Sequence, residues 1–187
     1  MKRWVVLAAL LCCSAATGEA RDCAGIAVPD TLAVNTMTLT LNGAGVRTKF
    51  FMDMYVGALY LTAPQNDPVK ILAADEPMAI RLQILSGLIS SEKMEAATRE
   101  GFHNATSGNT AALQNLIEQF IAVFREKIEK GDVYEMVYVP REGTRIYKNT
   151  ALKTTIPGMP FKKALFGIWL CDKPAQESLK QQMLGGA

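Results

Sequence analysis

Histidine is almost missing from this chain: His103 is the only one among 187 residues. No cluster of cysteines or carboxylates stands beside it, so neither a Cys/His metal site nor a Ser-His-Asp triad is expected, and His103 reads as a helix-face residue. Cysteine is scarce too, at four, and two of these, Cys12 and Cys13, fall in the N-terminal apolar stretch. They lack the preceding small residue that a lipid-attachment signal needs. No apolar run is long enough to span a bilayer. Internal repeats, low-complexity tracts and Pro/Ser-rich linkers are absent, which favours one domain. No basic stripe occurs, so nucleic acid is not an expected partner. Gly43-x-Gly45 lacks a third glycine at the dinucleotide offset and leads into a strand, which excludes a nucleotide loop. These glycines are expected to permit a turn with positive φ. No cofactor is expected.

What is present begins with a leader. Lys2 and Arg3 precede an apolar stretch, Trp4 to Ala16, and Gly18-Glu19-Ala20 offers a small-x-small cleavage site. Residues 1–20 read as a secretory signal peptide and residues 21–187 as the folded domain, which implies export, with the periplasm as the expected location. The remaining chain carries 18 basic and 17 acidic residues, which is nearly balanced. Hydrophobic residues make up 49% and charged residues 20%, the balance of a globular core. Export leaves Cys23 and Cys171, and an oxidising compartment makes a disulfide between them an expectation. Closing so long a loop is worth ~4–5 kcal/mol in the chain-entropy account.

Periodicity gives the elements. Residues 26–28 and 36–42 read as short strands, and 46–61 is strand-like. Pro64-Gln65-Asn66-Asp67-Pro68 is a loop, and Val69–Ala74 a helical turn. Met78–Leu85 sets Ala79, Arg81 and Gln83 against Ile80, Leu82 and Ile84, a strand with one buried face. Ser90 or Ser91 caps a helix to about Asn104. A second helix is predicted from Thr110 to Lys130, ended by Gly131. A hairpin over Val133–Pro140 and Thr144–Tyr147, a strand over Ala151–Ile156 and helices over 160–170 and 174–184 complete the chain. That order gives an α+β fold, a largely antiparallel sheet covered by helices.

The most informative residue is Arg47, delivered by Gly43-Ala44-Gly45-Val46 into an otherwise apolar segment. A guanidinium keeps its charge, so burial demands an anion or several acceptors. It either anchors a pocket for an acid, pairs internally with Asp53 or another acid, or is solvated at an edge. Met52 and Met54 fit core filling or an adaptable pocket wall. Glu92, Glu95 and Glu100 read as solvated helix charges. Trp169 reads as a core residue whose N–H needs a partner. Leu179, Met183 and Leu184 on the last helix read as packed, with contact to a membrane as the less ordinary alternative.

Gly43-Ala44-Gly45-Val46-Arg47, Tyr55-Val56-Gly57-Ala58-Leu59-Tyr60-Leu61 and Ala164-Leu165-Phe166-Gly167-Ile168-Trp169-Leu170 together resemble the chalcone isomerase superfamily, over roughly residues 24–185. The chain is most similar to exported bacterial members. The resemblance implies an open-faced β-sandwich, a large antiparallel sheet layered with helices. It also implies two functional kinds, enzymes that cyclise chalcones and relatives that bind fatty acids. Both keep the arginine matching Arg47. Where the enzymes carry a threonine, this chain has Tyr55, as the fatty-acid binders do. Lys93 and Glu100 stand where the enzymes use a tyrosine and an asparagine, and Ile168 or a neighbour replaces a hydroxyl residue. The expected partner is therefore a small amphipathic carboxylate or an aromatic ligand, held by Arg47 and Tyr55. A lyase using Arg47 to stabilise an oxyanion, helped by Tyr55 and Lys93, is the alternative, and a ligand-free scaffold the third. On a straight strand Arg47 and Tyr55 would lie about 26 Å apart. Sharing one carboxylate requires a hairpin near Phe51, and Phe50-Phe51-Met52 is not ordinary turn chemistry.

Overall fold

The computed structural model describes residues 20–186. The predicted leader, apart from Ala20, lies outside the described residues. Among the described residues nine strands form: β1 (Ala20–Cys23), β2 (Ile26–Pro29), β3 (Thr31–Val34), β4 (Met37–Lys49), β5 (Met52–Leu61), β6 (Met78–Ile84), β7 (Val133–Val139), β8 (Gly143–Lys148) and β9 (Ala151–Ile156). β1 and β2 make a small hairpin. β3 to β9 form one curled sheet in sequential order, every neighbour antiparallel. Short turns send most strands straight back along the last, whereas residues 62–77 and 85–132 leave the sheet as helical excursions before β6 and β7 return to pair beside β5 and β6. The helices are α1 (Pro68–Ala73), α2 (Ser91–Ala105), α3 (Gln114–Ile121), α4 (Met159–Leu170) and α5 (Glu177–Met183).

Strand alternation sorts the core into two layers. Tyr55, Leu59 and Leu61 of β5 and Ile80, Leu82 and Ile84 of β6 face the helices. Val56, Ala58, Tyr60 and Ala79 face the other way, against Val28, Val34 and Leu39. The Tyr60 hydroxyl donates to the Pro29 carbonyl at 2.8 Å, tying the β1–β2 hairpin to that outer layer. α4 is buried along nearly its whole length. α2 crosses it where a Cβ on Gly101 would come within 2.8 Å of Ile168, and one on Gly167 within 2.8 Å of Ala105. Lys162 is fully buried in α4. Its ammonium donates to the carbonyls of Ile71, Leu72 and Ala74, 2.8–3.1 Å away, and so caps the end of α1. Desolvation, with neighbouring Lys163, pulls its pKa down to about 8, against the opposing charges of Asp75 and Glu76.

Three expectations are corrected. The helix predicted to reach Lys130 has left helical backbone by Glu126, after a final 3₁₀ turn over Ala122–Arg125. Polar anchors hold the segment beyond instead: Lys148 donates to the Lys127 carbonyl at 2.6 Å, and Asp132 accepts from the Glu129 amide at 2.9 Å. Gly43 and Gly45 do not have positive φ; they lie inside β4. A Cβ on Gly43 would overlap the Gln182 carbonyl oxygen and lie 2.8 Å from that of Met183, so glycine is there to let α5 approach the sheet. Cys23 and Cys171 are both free thiols. Cys23 packs on the outer layer beside β2, whereas Cys171 ends α4 in the helical layer, so the sheet separates them.

Candidate functional site

Two one-residue irregularities interrupt the β4–β5 ladder, at Asn42 of β4 and at Met54 of β5, and the first builds the site. Leu39 and Leu41 of β4 face the outer layer. Asn42 is then an extra residue, because Leu41 pairs with Tyr60 but Gly43 with Leu59. That bulge reverses the alternation. Ala44 and Val46 now face outward, while Gly43, Gly45 and Arg47 face the helices. Asn42 is fixed by its side chain, which donates to the carbonyls of Gln65 and Met183 (3.0 and 2.9 Å) and accepts from the Gln65 amide. Without the bulge, Arg47 would share the face of Leu39.

The required hairpin exists. Lys49 pairs with Met52 across a two-residue loop, Phe50-Phe51, with φ of 52° and 62°. Positive φ at both positions is the tight-hairpin geometry that matches strand twist. It places Arg47 directly opposite Tyr55 in the ladder, on the helix-facing side. Such cross-strand partners have Cα atoms about 5 Å apart.

Arg47 is half-buried and donates through Nη1 to the Ala175 carbonyl, in the link between α4 and α5. The same link is held by the Thr48 amide, which donates to Gln176 Oε1 at 2.9 Å. Among the described residues no carboxylate lies within ion-pair distance of Arg47. Asp53, the anticipated internal partner, is exposed and pairs by backbone with Thr48. Tyr55 is 8% exposed. Its hydroxyl accepts from Trp169 Nε1 at 3.0 Å, which gives the indole the partner it needs and leaves the phenolic proton available to donate. Burial pushes the Tyr55 pKa up, opposed by the charge of Arg47 and the Trp169 hydrogen bond, so the group is a donor and not a base.

Arg47 and Tyr55 line two adjoining spaces. The inner one is a cavity of about 120 Å³ walled by Leu82, Met94, Phe120, Phe124, Met136 and Ile168, with Thr98, Glu100 and Asn104 as further polar groups. The outer one is a groove of about 340 Å³ bordered by Lys49, Phe50, Met52, Leu88, Ile89 and Lys93. Lys93 is therefore not beside Tyr55 in the inner cavity; its ammonium donates to the Leu88 carbonyl at 3.0 Å. Glu100 is exposed yet borders both spaces, whereas Glu95 pairs with Arg99 at 2.8 Å. Met52 borders the groove, and Met54 does so while packing on the core. His103 is exposed on α2, and no group of residues among those described could hold a metal ion. Thr98, Gly101 and Asn104 escaped the sequence reading. The α2 stripe Met94, Ala97/Thr98, Gly101, Asn104 carries the helical spacing that could have found them. The Ala175 carbonyl had no such signal.

A curled antiparallel sheet, a helical layer and a guanidinium with no ion pair among the described residues, set over a largely apolar cavity, define a sheet-and-helix protein with a pocket. The chain belongs to the chalcone isomerase-like family, whose sequence profile matches residues 20–185. No curated protein sequence matches it. Among solved structures it is similar to a fatty-acid binding protein of Arabidopsis thaliana, with a TM-score of 0.68, 14% identity, and 86% of this chain and 92% of that one covered. At that identity the likeness speaks for the fold.

Proposed function

We propose that this protein, exported through its leader to the periplasm, binds a small amphipathic carboxylic acid such as a fatty acid. The observation that carries the reading is Arg47: partly buried, with one N–H on a backbone carbonyl and no acid among the described residues to neutralise it. A carboxylate would take the remaining guanidinium donors and the Tyr55 O–H. The inner cavity is close in size to one of about 150 Å³ that holds a benzene ring. It suits a short acyl segment or one ring, and longer chains would continue along the outer groove. Affinity would come from the apolar walls and orientation from the polar end.

The test is titration with saturated fatty acids of increasing length, beside native mass spectrometry of the gently purified protein. Arg47→Ala should weaken binding by about 10- to 150-fold, the value of a charge-assisted hydrogen bond. Unchanged affinity would remove the anchor role. The lyase reading keeps one support, since Thr98 and Asn104 bring a hydroxyl and an amide to the cavity. Conversion of a chalcone above its spontaneous rate would favour it.

A further inference from the structure

The hairpin tip that closes the β4–β5 ladder is built against its own chemistry. Phe50 is 77% exposed and Phe51 fully exposed, yet both adopt the left-handed backbone that asparagine and glycine take readily and bulky residues resist. Neither ring stabilises the fold by burial. Met52 (40% exposed) follows them, and Leu88 (50%) lies across the groove. The other large hydrophobic side chains that stand exposed among the described residues, Met37, Val69 and Leu152, do not border this groove. One end of the molecule therefore presents a contiguous apolar patch at the mouth of the groove.

Charge accompanies it. The groove lining carries Arg47, Lys49 and Lys93 against the single acid Glu100; Asp53 lies next to Met52 outside that lining. Lys49 Nζ sits 5.6 Å from the Phe50 ring centre, and Lys93 and Lys49 are both exposed. Aromatic and aliphatic side chains projecting from a tight turn, flanked by Lys49 and Lys93, match an anionic lipid surface: rings enter the acyl boundary while ammonium groups meet phosphates. The geometry points to the Phe50-Phe51 tip, with Met52, Leu88, Lys49 and Lys93, as a docking surface for an anionic bilayer, which would seat the groove mouth on the lipid. This is a different surface from α5, whose Leu179 and Met183 are fully buried against the sheet.

The test is flotation with vesicles of phosphatidylcholine alone or mixed with about one-third phosphatidylglycerol. Protein is expressed from its full sequence, and all variants are compared with the same N-terminus, verified by mass. Wild type should float with the anionic vesicles and lose most binding in high salt. Phe50→Asn/Phe51→Gly, which suits the turn, should unfold at or above the wild-type temperature and bind vesicles about tenfold or more weakly. Lys49→Glu/Lys93→Glu should erase the gain from phosphatidylglycerol. Tyr55→Phe should float like wild type, which separates this proposal from acid binding. Failure of wild type to float, equal flotation of Phe50→Asn/Phe51→Gly, or a patch that instead governs self-association or capture of another protein would overturn it.

Discussion

Gly43→Ala tests how α5 is joined to the site. Gly43 lies in β4 with ordinary backbone, so alanine strains nothing locally. Its methyl, however, would overlap the Gln182 carbonyl oxygen and stand 2.8–2.9 Å from the Met183 carbonyl. Both are backbone atoms, so no rotamer change relieves the overlap and α5 must lift. α5 is held by Leu179 and Met183, each fully buried. Burial of such a side chain contributes about 1.5–3 kcal/mol, so lifting both costs about 3–6 kcal/mol. For a domain of this size that lowers Tm by roughly 6–24 °C. The matched control is Gly57→Ala on the neighbouring strand. There a methyl would meet Leu179 at 3.5 Å, an ordinary contact, and Tm should stay within about 2 °C of wild type. Thermal unfolding followed by circular dichroism and calorimetry reads both. A Gly43→Ala protein within a few degrees of wild type, or a Gly57→Ala protein that falls as far, would refute the close-approach account.

Tyr55→Phe leaves the buried Trp169 N–H without its acceptor and should cost about 1–3 kcal/mol in urea unfolding; an unchanged midpoint would mean that the bond contributes nothing. Lys162 has a folded pKa of about 8 against an ordinary 10.5. Between those values the unfolded chain holds a proton the native one has lost, so this group makes stability rise with pH, by at most about 3 kcal/mol. The stability of wild type minus that of Lys162→Met should therefore widen over this window, and parallel profiles would exclude it. Burial pushes Tyr60 and Tyr138 up to about 12, so their contribution is complete below 10 and lost as pH climbs towards 12. Alkaline unfolding should accompany their ionisation, and phenol titration at ordinary pH in the native protein would contradict this. Alkylation without reductant should label both Cys23 and Cys171, and a Cys23–Cys171 cross-linked peptide would overturn the separation seen here.

Much of the fold was legible because it rests on local period. Met78–Ile84 alternates in sequence as it does in the sheet, and of the two serines that could cap α2 it is Ser90 that accepts from the Lys93 amide. The apolar spacing after Thr110 continues to Ile128 and so reads as helix, although the buried Ile128 stands on a non-helical segment. Arg47 and Tyr55 were legible as residue types, and their meeting was legible only as a condition. Phe50-Phe51 gave no turn signal, since the hairpin there is imposed by pairing on both sides and not by its own residues.

Taken alone, the sequence determined most of the strand and helix stretches from Met78 onward, which of their faces are apolar, and that one permanent cation enters a greasy segment, because each follows from neighbours a few residues apart. Tertiary structure alone decided which side of the sheet Arg47 faces, what its guanidinium touches, and that Cys23 and Cys171 stay apart. The reason is that a single extra residue at Asn42 inverts the facing of every β4 side chain after it, Arg47 included. That bulge is held by Gln65 and Met183, groups 23 and 141 residues away along the chain.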